Sequence, residues 1–106
     1  MADLNGTKFG TISALVMKER HKQENRKKEG AFKYTLSDEA MDNFERLTCI
    51  EEEVGEIARA ILVESGLATD TLGNHTADDE IIQVLALCFA WLESHTVEHL
   101  MTANEN

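Results

Sequence analysis

Not one proline stands among the 106 residues, and only six are glycine. Proline stops a helix more firmly than any other residue, because it lacks a backbone donor and its ring strikes the preceding turn. Glycine comes next, through its loss of backbone freedom. A chain with so few breaks is expected to fold into long helices. Hydrophobic residues make up 42 % of it and charged ones 28 %, which is the balance of a globular chain rather than a disordered one. The length suits a single domain over residues 1–106, with a core at about 9–100. The expected fold is all-α, a bundle of three main helices. Three helices of this size bury little core alone, so completion by homo-oligomerisation, as a dimer or tetramer, is expected with it.

The helices can be placed from periodicity and end signals. The first is expected from Phe9 to Lys28, with Ile12, Leu15 and Val16 as its apolar turn, a wholly polar run from Lys18 to Glu29, and Gly30 as its stop. Ser37 then reads as an N-cap, with Asp38 and Glu39 in the following turn. The second helix continues to Ser65 and stops at Gly66, and its apolar positions Leu47, Ile50, Val54, Ile57, Ala58 and Ile61 follow the helical period. A loop of residues 66–75 leads to Thr76, which caps a third helix with Asp78 and Asp79 in its first turn. That helix is apolar nearly all round from Ile81 to Leu92, so it is expected at the centre, Trp91 included. The tail after Leu100 is expected to fray. Cys49 and Cys88, both inside apolar helical patterns, read as buried small hydrophobes rather than a disulfide.

Composition and charge exclude several functions or rank them low. The stretch Ile81–Leu92 is interrupted by Gln83 and is too short for the ~20 apolar residues of a membrane span. The start, Met1 to Gly6, is mixed and polar, so the cytoplasm is the expected compartment. Ten Lys/Arg against twenty Asp/Glu leave a net charge of −10, and nucleic-acid binding therefore ranks last. The charge is uneven. Residues 1–33 carry eight basic residues and four acids; residues 34–106 carry only Arg46 and Arg59 against sixteen acids. A basic arm beside an acidic remainder can contact an anion with one part and hold a cation in the other.

Two acidic clusters provide the candidate chemistry. In Glu51-Glu52-Glu53-Val54-Gly55-Glu56, residues Glu53 and Glu56 lie one turn apart beside the apolar stripe, while Glu52 projects away from it. In Asp78-Asp79-Glu80-Ile81-Ile82-Gln83, residues Glu80 and Gln83 have the same spacing and interrupt the most apolar helix. A charge placed there must be paired or bound to a metal. Three carboxylates and an amide oxygen with almost no basic residue nearby suit Mg²⁺, or Mn²⁺ in its place. Each cluster by itself reads more readily as solvent-facing helix acids, and only the antiparallel neighbourhood of the two helices brings the metal reading level with that one. Gly55 in mid-helix is read as allowing close helix approach. His95 and His99 have a zinc-compatible spacing but no third ligand, and His75 reads as a solvated loop residue.

The run Glu52-Glu53-Val54-Gly55-Glu56, followed at a loop's distance by Glu80-Ile81-Ile82-Gln83-Val84, resembles the MazG-like, all-α nucleotide pyrophosphohydrolases, whose signature is EExxE, a spacer and ExxD. Glu19-Arg20-His21-Lys22-Gln23, leading to Glu29-Gly30 and an aromatic, resembles the stretch before that motif in small MazG-like proteins. The similarity spans residues about 12 to 95 and includes the apolar helix that ends Ala90-Trp91-Leu92-Glu93. It implies cleavage of a nucleoside triphosphate to a monophosphate and pyrophosphate. It also implies catalytic residues Glu52, Glu53, Glu56 and Glu80, with Glu53, Glu56, Glu80 and Gln83 at the metal. Gln83 departs from the family's Asp: an amide oxygen can coordinate but brings no charge and cannot act as a base. Glu52, Asp79 and water are the substitutes at hand. A carboxylate of the cluster or an activated water would deliver the attack on the α-phosphorus. Lys22, Arg26 and Lys33 are candidates for phosphate contact, and Phe32 and Tyr34 for stacking on a base. The competing expectation is a non-enzymatic helical oligomer that keeps the scaffold with a degenerate site and acts as a regulatory or partner-binding protein.

Overall fold

Four helices follow one another along the chain: α1 (Thr7–Lys28), α2 (Asn43–Glu64), α3 (Ala77–Glu93) and the short α4 (Val97–Ala103). The structure, a computed structural model, describes residues 6–32, 34–69 and 75–103. No described helix is long and apolar enough to cross a membrane. The third helix packs against both α1 and α2 and so holds the three long elements together.

The ends of the helices follow local hydrogen-bonding chemistry. Thr76 accepts from the Asp79 backbone N–H while the Asp79 carboxylate accepts from the Thr76 N–H, a reciprocal cap that starts α3. Asp79 is thereby committed to the helix end and is withdrawn from the substitutes considered for Gln83. The start of α2 falls later than expected. Asp42 and Glu45 form the same reciprocal cap, so the helix begins at Asn43 rather than after Ser37. Ser37 and Asp38 instead bond back to α1, as described below. Gly30 and Gly66 follow α1 and α2 at φ +84° and +76°, left-handed conformations that favour glycine. Beyond Leu100 the chain forms the last turn of α4 up to Ala103, where a frayed tail was expected.

The interior is small and half polar. Val16, Leu36, Ala60, Ala86 and Ala90 are its buried apolar residues, and Arg20, Gln23, Thr35, Arg46 and Glu80 are buried beside them. Much of the expected core is uncovered: Leu47, Val54 and Ile61 of α2 are exposed, as are Ile81, Leu85, Phe89 and Leu92 of α3. Trp91, Cys49 and Cys88 are half-buried rather than enclosed. The physical reason is that α3 is apolar nearly all round, whereas α1 and α2 of one chain cover only part of its circumference. Gly55 does not mark a close approach within the chain, because nothing lies within 4 Å of where its Cβ would stand.

Candidate metal centre and adjoining cavities

On α2, Glu53 and Glu56 stand one turn apart on the side that meets α3; on α3, Glu80 closes the first turn. One carboxylate oxygen from each of these three residues lies within 4.8 Å of the other two. Glu80 is only 4 % exposed, and Glu53 and Glu56 are half-buried. Buried oxygens Glu53 Oε2 and Glu80 Oε2 have no hydrogen-bond partner. Among the described residues no Lys or Arg forms an ion pair with any of the three.

Buried carboxylates crowded together without a cation hold their protons more tightly. Burial, then a hydrogen bond with Glu56, then the negative charges of Glu56, Glu80 and Glu52 push Glu53 up to about 7. A hard divalent ion fits such a donor set: it takes oxygen ligands, supplies the missing positive charge and gives orphaned lone pairs a partner. The two later basic residues are engaged elsewhere. Arg46 donates to the carbonyls of Leu36 and Asp38 and to Asn43 Oδ1, at 2.9, 2.8 and 2.9 Å. Arg59 donates to the Thr69 carbonyl at 2.9 Å.

His75 is a contact that sequence reasoning missed. Its Nδ1 lies 2.9 Å from Glu80 Oε1, so this histidine orients the carboxylate that α3 contributes. A histidine directly before a capping threonine, five residues ahead of an inward-facing acid, was the available signal. His95, in the break between α3 and α4, and His99, in α4, have stacked rings 4.5 Å apart and belong to no metal-binding group among the described residues.

Two cavities adjoin the carboxylates. One, of about 270 Å³, is bordered by Glu19, Lys22, Gln23, Arg26, Phe32, Glu53, His75, Gln83 and Leu87. Lys22, Arg26 and Gln83 thus face the same space as Glu53, while Lys33 lies outside the described residues. The other, of about 230 Å³, has a mainly apolar wall of Phe32, Tyr34, Leu36, Met41, Cys49 and Leu87, with Gln23, Thr35, Glu52 and Glu53 also lining it. The Arg26 guanidinium stands 5.8 Å from the centre of the Phe32 ring, within cation–π range.

The connector that carries Phe32 and Tyr34 is fastened to α1 by charge. Arg20 donates from Nε and Nη2 to the two Glu93 oxygens at 3.0 and 3.1 Å, and from Nη2 to Glu24 Oε1 at 2.9 Å. Glu24 Oε1 also accepts from Thr35 and Ser37 at 2.9 and 3.1 Å. Lys27 Nζ lies 2.6 Å from Asp38 Oδ1, and Asp38 Oδ2 accepts from the Thr35 N–H at 2.7 Å. These bonds hold the Asp38 carboxyl below its ordinary range, the Lys27 contact most strongly. Glu24 is likewise lowered: burial opposes the shift, and its bonds to Arg20, Thr35 and Ser37 outweigh it.

Compared with known proteins, the chain matches no family model, no curated sequence and no solved structure.

Proposed function

We propose that this chain is a MazG-like, Mg²⁺-dependent nucleoside triphosphate pyrophosphohydrolase, which adds water across the bond between the α- and β-phosphates and releases a monophosphate and pyrophosphate. The observation that carries the reading is the cluster of Glu53, Glu56 and Glu80, their ligand atoms within 4.8 Å of one another and two of their oxygens buried without partners. A cluster built only for stability would have paired those oxygens.

Glu53, Glu56 and Glu80 would hold Mg²⁺, or Mn²⁺ in its place, with the Gln83 amide as a neutral oxygen donor. When bound, the ion supplies positive charge that offsets the charge developing on the phosphate oxygens. Lys22 and Arg26 face the same cavity and contact phosphate directly, Arg26 through the planar fork suited to two oxygens at once. Phe32 and Tyr34 border the apolar cavity and present flat surfaces to a base. Glu52 lines that cavity outside the three-carboxylate group, and as the first Glu of the EExxE run it would accept the proton of the attacking water. Closure of the site by a second copy of the chain, as dimer or tetramer, would cover the exposed faces of α2 and α3.

The test is pyrophosphate release from each nucleoside triphosphate with Mg²⁺. Release is expected from at least one, and Glu53→Gln is expected to cut it by more than about a hundredfold, beyond the loss typical of an outer metal contact, with the helical circular dichroism retained. Silence with every nucleotide would favour a second reading, a non-enzymatic regulatory or partner-binding oligomer. The neutral Gln83 in place of a carboxylate is the feature on that side.

A further inference from the structure

Gln23, Phe32, Glu53 and Leu87 border both cavities and so form the wall between them. Gln23 is 9 % exposed, and it lines both cavities, so the two ends of its amide meet different surroundings. One end is accounted for: Arg20 Nη1 donates to Gln23 Oε1 at 2.9 Å. A guanidinium only donates, so the atom facing it must be the amide oxygen and never the nitrogen. Arg20 is itself fixed by Glu93 and Glu24. The amide therefore cannot turn over without setting donor against donor. Its N–H₂ group is left on the side away from Arg20, in no hydrogen bond with any described residue.

A nucleotide with its phosphates beside Lys22 and Arg26 and its base against Phe32 and Tyr34 has its glycosidic bond at this wall. Beside that bond a pyrimidine carries the acceptor O2 and a purine the acceptor N3. We propose that Gln23 is a substrate-binding residue whose oriented N–H₂ group donates to this acceptor, with Arg20 as the positioning residue that fixes the amide. The inference rests on the nucleotide reading above. Because both base classes carry the acceptor, Gln23 holds a nucleobase as such and does not choose between them.

The experiment pairs purine deoxynucleoside triphosphates, in the adenine and guanine series, with their 3-deaza analogues, in which C–H replaces N3. Turnover with Mg²⁺ and affinity by calorimetry are measured for the wild type, Gln23→Met and Gln23→Glu. The glutamate variant keeps an acceptor for Arg20 but removes the donor. The wild type is expected to prefer the parent nucleotide by about tenfold, the worth of one hydrogen bond, and both variants to lose that preference. Equal handling of parent and analogue by the wild type, or a preference that survives in both variants, would overturn the proposal. Binding with the tenfold preference but without pyrophosphate release would sink the hydrolase reading and leave the role of Gln23 standing. Absence of both binding and release would sink the two together.

Discussion

Two clusters of buried charge, both anchored on α3, are built on opposite terms. Around Arg20 every charge has a partner: Glu24, Glu93, Gln23, Thr35 and Ser37 close a network that ties the connector to the helices. Around Glu53 three acids meet without a Lys or Arg among the described residues, His75 reaching only Glu80, and buried oxygens are left over. The first arrangement uses its hydrogen-bonding capacity within the chain and therefore serves the fold. The second leaves capacity unused, which costs stability unless a ligand arrives. Burial and charge alone do not separate a structural cluster from a functional one; the partner count does.

Removing the central residue of each cluster should therefore move stability in opposite directions. Arg20→Met leaves Glu24 and Glu93 without their cation and the Gln23 oxygen without its donor. A loss of about 2–3 kcal/mol is expected, the range for hydrogen bonds to charged groups, measured by denaturant unfolding of the metal-free protein. Glu53→Gln under the same conditions should unfold at equal or higher denaturant. If both variants lost comparable stability, the carboxylate cluster would be structural after all.

The sequence separates these regions only in part. The acids of α2 and α3 could be picked out because i, i+3 spacing and an apolar background are local facts. So could the cap of α3, where Thr76 and Asp79 stand three residues apart. The start of α2 is not legible in the sequence, because Ser37-Asp38-Glu39 has the composition of a helix start. Asp42 and Glu45 satisfy the same pattern with a reciprocal bond, while Ser37 and Asp38 are drawn to Glu24 and Lys27 on α1. That competition is tertiary. The contact between His75 and Glu80 was not legible either, since it depends on how the chain enters α3. Periodicity marked the apolar stripes of α2 and α3 without revealing that they face outward from a single chain.

The pH dependence sharpens the contrast. Glu24, Asp38 and Asp79 have lowered values, so their stabilisation is present above the ordinary carboxylate range and is lost only as pH falls through it. Glu53 is raised to about 7 from 4.5, so between those values the folded state holds a proton that the unfolded chain has released. Its contribution therefore declines as pH rises through that window. The metal-free protein should melt at a lower temperature at pH 8 than at pH 5.5, and Glu53→Gln should flatten the difference. Mg²⁺ should raise the melting temperature more at pH 8, because its ligands must be deprotonated. A metal-free profile that climbs from pH 5.5 to 8 and is unchanged in Glu53→Gln would remove the cluster as its source.

The smallest expected effect comes from Gln83, which faces the polar cavity with Glu53 but brings no charge to it. Gln83→Asp adds a fourth carboxylate to a site already short of cations. Without metal the added repulsion should lower the melting temperature at pH 8, widening the difference from the Arg20 network. With Mg²⁺ the same charge becomes an attraction, and affinity by calorimetry should rise by about tenfold at most, the lower end of what contacts around a metal site contribute. A variant that destabilises the metal-free protein yet binds Mg²⁺ no better would mean that position 83 feels the cluster's charge without reaching its ion. The cation would then be held by Glu53, Glu56 and Glu80 alone, and the amide would be free to face the phosphates instead.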